Sequence, residues 1–158
     1  MKKALFTLFI LLSAFTAFSQ SMPDIDSVKL TTKQDYHAAE PLALQVSTFI
    51  LSTPSDAKSV PRLNGTKFLL DWMSGTPDYT LDLDKNVVKY FEKDLDLMGV
   101  YLASLTSSAI QNKLIADPKI LTSIAVKKFI AYINNSSNNV NITNKLKKLI
   151  EADQKGQI

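Results

Sequence analysis

Apolar side chains recur along most of this chain at spacings of three and four residues, the period of a helix with one buried face. The clearest run is Val88, Phe91, Leu95, Met98, Leu102, Leu105 and Ala109, where threes and fours alternate without a break. It predicts a helix over 85–114, the longest in the chain. Leu97 and Tyr101 widen the stripe beyond a coiled-coil seam, so the pattern calls for a bundle core. Gly99, Ala103 and Ser107 stand four apart on another face, where small side chains let a neighbouring backbone come close.

The same period predicts four more helices. The first covers 34–52, with Tyr36, Ala39, Ala43, Val46 and Ile50 in phase and Thr31-x-x-Gln34 at capping-box spacing. Pro41 falls inside it, so the helix either kinks there or truly begins there. The second, short, covers 64–74, with Gly75 and Pro77 as its stop. A fourth begins at Asp117 as N-cap with Pro118 in its first turn. Its apolar residues leave little polar face, so it is expected to be the most buried. Asn134 to Asn139 is a polar loop that ends it. The fifth covers 143–154 and sets Leu146, Leu149 and Ile150 beside Lys145, Lys147 and Lys148. No segment alternates like a strand. The fold class expected is all-α, an irregular bundle of about five helices. A short α-solenoid-like stack of hairpins is the alternative, although no 34-residue repeat signature is present.

The N-terminus changes the picture. Lys2 and Lys3 precede the apolar run Ala4–Phe18, and Ala17 and Ser19 are small residues at −3 and −1 of a cut before Gln20. That is the layout of a secretory signal peptide over 1–19. The segment resembles the signals of Bacteroidota, where a cut before Gln is common. The expected location is therefore periplasmic or secreted, with no transmembrane segment after cleavage. Residues 20–33 read as a flexible leader and 34–158 as a single helical domain. Asp26-Ser27-Val28 resembles the short pattern at which some Bacteroidota attach O-glycans, which would place a sugar on Ser27.

Composition mainly excludes. The chain has no cysteine, which removes disulfides, thiol catalysis and Cys-ligated zinc, as well as a lipid anchor at the cleavage site. Its net charge of +3 shrinks once Lys2 and Lys3 are set aside, because 16 basic residues then face 15 acidic ones. Arg62 is the only arginine, and arginine supplies the forks that grip phosphates and bases. Nucleic acid is not an expected partner.

Candidate chemistry is thin. His37 is the only histidine, no nucleophile elbow exists, and Gly65-Thr66-Lys67 lacks the rest of a phosphate loop. Asp71, Asp78, Asp82 and Asp84 crowd around Trp72 and Tyr79, as in a sugar-binding cleft with paired carboxylates. The candidate binding residues are therefore Trp72, Asp78, Tyr79 and Asp82, although Trp72 also reads simply as core. Asp82, Asp84 and Asn86 match the first three ligands of a calcium loop. Val87 then stands where Gly must turn, and Lys93 where a closing Glu belongs, so no metal or cofactor is assigned. Asp84 and Asp117 are read as helix N-caps. The leading expectation is a non-catalytic module that binds an envelope protein or peptide. The alternatives are a glycan hydrolase using the carboxylates of 71–84 and a carrier of a small apolar ligand.

Overall fold

A computed structural model describes residues 21–158, and among them the chain is all helical with no strand. Seven α-helices follow in order: α1 (Lys33–Ala38), α2 (Glu40–Ser52), α3 (Val60–Gly75), α4 (Lys85–Val88), α5 (Leu95–Gln111), α6 (Pro118–Asn134) and α7 (Asn144–Gln154), with a 3-10 turn at Ser136–Asn138. The predicted signal peptide and its cut site lie outside the described residues. Residues 21–32 carry no helix, and Met22, Ile25, Val28 and Leu30 pack against the core.

The count exceeds five because two expected helices are each divided. The first breaks at Ala39. Pro41 has no N–H to give to the preceding turn, so α2 starts afresh with Pro41 in its first turn. Its companion α1 is capped by Thr32, with Asp35 completing the capping box, one residue beyond the expected pair. The long helix over 85–114 is also two. Asp84 caps α4, accepting from the Asn86 amide at 2.8 Å, but α4 lasts a single turn. The chain then turns until Asp94, whose carboxylate accepts from the Asp96 and Leu97 amides at 3.1 and 3.0 Å and starts α5. The apolar phase survives because Phe91, in the turn, still points inward. Leu95 does not follow it: at the first position of α5 it is 68% exposed, and Leu97 is buried instead.

Helix α5 is the axis of the molecule and packs against α2, α3 and α6. Every residue from Asp96 to Ile110 except Met98 is buried, so α5, not α6, is the most buried helix. Its serines permit this. Ser104 and Ser107 donate to the carbonyls of Val100 and Ser104, which satisfies their hydroxyl protons inside their own helix. Gly99 shows how closely α3 approaches, since a Cβ there would lie 2.1 Å from Thr66 Oγ1. Gly75 likewise leaves room for the Tyr36 ring rather than supplying a left-handed stop. The centre is filled by Phe91, Tyr101 and Phe129, with ring centroids 4.6 to 6.0 Å apart.

One end of the bundle is joined by a buried ion pair. Arg62 near the start of α3 donates through Nε and Nη2 to Asp96 at 2.6 and 3.1 Å. Its Nη1 donates to the Ile50 and Thr53 carbonyls at the end of α2, at 2.9 and 3.1 Å. Ser55 donates to Asp96, and the Tyr132 hydroxyl of α6 donates to the Thr53 carbonyl. One guanidinium thus connects the ends of four helices.

Candidate functional site

The residues expected to form a cleft over 71–84 are placed in separate settings. Trp72 is wholly buried. Its Nε1 donates to the Tyr36 carbonyl at 2.9 Å and its ring meets that of Tyr79 at a tilt, so it presents no face to a sugar. Asp71 pairs with Lys67 one helical turn away. Asp78 pairs with His37 Nδ1 at 2.9 Å in an exposed contact, Asp84 caps α4, and Asp82 is exposed. The four carboxylates therefore answer to different partners. Val87 is fully buried, and among the described residues no three acidic or histidine side chains are grouped to hold a metal ion. Asp117 caps α6, accepting from the Lys119 amide at 2.9 Å.

Where Tyr79 does meet other polar groups, the chemistry is that of a fastening. Its hydroxyl donates to Glu40 Oε2 at 2.7 Å, and Lys113 Nζ lies 2.5 Å from Glu40 Oε1. Burial raises the Glu40 carboxyl, but the hydrogen bonds from Lys113 and Tyr79 and the nearby positive charge outweigh it and leave it below its ordinary value. Burial, then the bond to the Glu40 carboxylate, pushes the Tyr79 phenol well above its own. Neither group is poised to exchange a proton near neutral pH. The cluster ties the loop carrying Tyr79 to the start of α2 and to the segment after α5.

What the surface does offer is open grooves. The larger, about 660 Å³, runs between the 25–30 segment and α3, with Phe68 and Tyr36 beside Asp26, Lys67 and Asp71. Asp26 and Ser27 turn outward at its edge. A second, about 470 Å³, lies between the turn that precedes α5 and the start of α7. Phe91, Leu97 and Leu146 form its floor and Tyr90 a wall, while Glu92, Lys93 and Lys145 stand on the rim. Lys145 and Glu92 face each other at 3.6 Å. This second groove was not readable in the sequence, because the pattern ran a helix straight through 89–94. The signal that marks it is Asp94, an Asx cap just before an apolar run.

Comparison with protein-family models, with curated proteins and with solved structures found no match to this chain.

Proposed function

We propose that the protein is a non-catalytic interaction module of the cell envelope, and that it holds a peptide segment in the groove between Tyr90–Leu97 and Asn141–Leu146. The observation that carries this reading is the make-up of that groove. An apolar floor of Phe91, Leu97 and Leu146 is ringed by charges of both signs, within the size range of pockets that take a small ligand. Anchors of this kind supply most of the affinity in helical binding modules, and the charged rim sets orientation. Leu95, standing exposed at the first position of α5, extends the apolar surface beside it. The envelope address rests on the signal-peptide pattern of residues 1–19. The dispersal of Asp71, Asp78, Asp82 and Asp84 favours binding over glycan hydrolysis.

Selection from a random-peptide phage library tests this reading. Peptides with a shared apolar anchor are expected to enrich on the protein and to lose binding to Tyr90→Ser and Lys145→Glu. Lys145 is exposed and Tyr90 only partly buried, and an unchanged circular dichroism spectrum is the control that each variant keeps its fold. Enrichment of no sequence, or binding indifferent to both substitutions, would overturn it.

A further inference from the structure

A different cleft, about 410 Å³, opens where α2, α5 and α6 meet, and its polar lining is unbalanced. Lys128 of α6 reaches across to α5. Its Nζ donates to Ser107 Oγ at 3.1 Å and to Gln111 Oε1 at 2.7 Å. An ammonium carries three donors, so one is unspent. The residue is half-buried, and no carboxylate stands among the side chains that line the cleft. Lys67, Lys113 and Lys145, by contrast, face Asp71, Glu40 and Glu92. Burial holds the Lys128 ammonium below its ordinary value. A positive charge is kept here half-buried and without the counter-charge that those three lysines have.

The neighbouring polar groups lean the same way. Gln111 Oε1 is taken by Lys128, and Asn135 Oδ1 accepts from the Ser137 amide at 3.0 Å, which leaves the amide N–H groups of both side chains to donate. Ser107 accepts from Lys128 and gives its proton to the Ser104 carbonyl. Thr48 gives its own to the Leu44 carbonyl at 2.8 Å. Asn138 gives one amide N–H to the Tyr132 carbonyl and the Tyr132 hydroxyl gives its proton to the Thr53 carbonyl, so N–H donors predominate among the uncommitted groups around one cation, with Asn138 Oδ1 and the Thr48 hydroxyl oxygen as acceptors beside them. Leu51 and Ala131 supply an apolar wall beside them. A ligand that answers this set is anionic, rich in acceptors at one end and apolar at the other.

We propose that the cleft is a binding site for an organic carboxylate with an apolar substituent, its carboxylate held by Lys128 Nζ and the side-chain amides of Gln111 and Asn135, its substituent against Leu51 and Ala131. The carboxylate can belong to a free acid or to the C-terminus of a peptide.

The test is an NMR titration of the protein with acetate, hexanoate and a tripeptide with a free C-terminus and an apolar last residue. It follows the Lys128 Cε–Hε signal and the amides of Gln111 and Asn135. Saturable shifts at these three residues are expected, with hexanoate roughly tenfold or more tighter than acetate, since its extra methylenes leave water. In saturating hexanoate the Lys128 titration midpoint is expected to rise, because the ammonium gains its missing counter-charge. Lys128→Met is expected to abolish the shifts. Gln111→Glu, at an exposed position, puts an internal carboxylate beside Lys128 and is expected to weaken hexanoate at least tenfold with an unchanged circular dichroism spectrum. A tripeptide tighter than hexanoate identifies a chain terminus as the ligand, and the reverse order identifies a free acid. Shifts that never saturate, shifts that persist in Lys128→Met, or a Lys128 midpoint unmoved by hexanoate would overturn the site.

Discussion

Arg62 and Asp96 are 2% exposed each, and their value to the fold is in geometry more than in attraction. Removing two charges from water costs several kcal/mol per ion, which a well-made pair roughly offsets. Losing one partner strands the other. Arg62→Met or Asp96→Leu is therefore expected to cost about 3–5 kcal/mol in urea unfolding, and the Arg62→Met/Asp96→Leu pair far less than the sum of the single changes. Additive losses would show that the two side chains act independently. A lone arginine among lysines was legible as a residue but not as a clamp. The absence of arginine elsewhere argues against nucleic acid, whereas the fork of this one holds a buried carboxylate and two carbonyls together. Nothing local in the sequence joins positions 62 and 96.

Glu40 gives the residue scale a pH signature. Its folded carboxyl lies below the ordinary value of 4.5, so the unfolded chain binds protons more readily than the folded one as pH falls past that point. The stabilisation is complete above pH 4.5 and is lost as pH drops through the folded value. Chemical denaturation of wild type and Glu40→Gln is expected to show a gap in stability near neutral pH that closes under acid. A gap independent of pH would contradict the Lys113 and Tyr79 contacts as its source.

At the scale of elements, the helices are legible wherever chemistry is local. The α6 start at Asp117–Pro118, the α7 boundaries and the Asp84 cap all follow from side chains within four residues. One period does not mean one helix. A stripe of threes and fours records which residues face the core, and a turn that keeps Phe91 facing inward preserves the stripe while breaking the helix. The burial of α5 was underestimated for a related reason. Ser104 and Ser107 count as polar in a pattern, yet hydroxyls bonded back to their own helix bury readily, and Ser108 is buried beside them. Their smallness, like that of Gly99, is what lets α3 and α6 close on α5. Gly99→Ala is expected to destabilise by about 1–3 kcal/mol through overpacking against Thr66, by thermal or urea melts. Adding Thr66→Ala should recover part of that loss, since it removes the oxygen and methyl that the new Cβ meets. A Gly99→Ala variant as stable as wild type would mean that the α3–α5 approach is looser than described.

At the scale of the whole molecule, a solid aromatic centre weighs against a carrier with an apolar ligand sealed inside. Phe91, Tyr101 and Phe129 pack together at the centre, and the cavities described above are open grooves. No helix among the described residues is long and apolar enough to cross a membrane. The fold class was legible because periodicity reports it directly. The grooves were not, because each is assembled from segments distant in sequence, 90–97 with 141–146 and 48–51 with 107–111 and 128–135. What the described residues present outward includes open recesses of distinct chemistry on a helical bundle.

The central claim is that the Tyr90–Leu146 groove accepts an apolar anchor, and the most direct measurement uses the anchor alone. Amide and methyl NMR spectra would be recorded while titrating N-acetyl-leucine methylamide and its phenylalanine counterpart into wild type and into Asn141→Trp, which fills the groove from its exposed edge. Saturable shifts confined to Tyr90, Phe91, Leu97 and Leu146, and absent in Asn141→Trp, are the predicted result. Shifts scattered over the surface, or unchanged when the groove is filled, would contradict it.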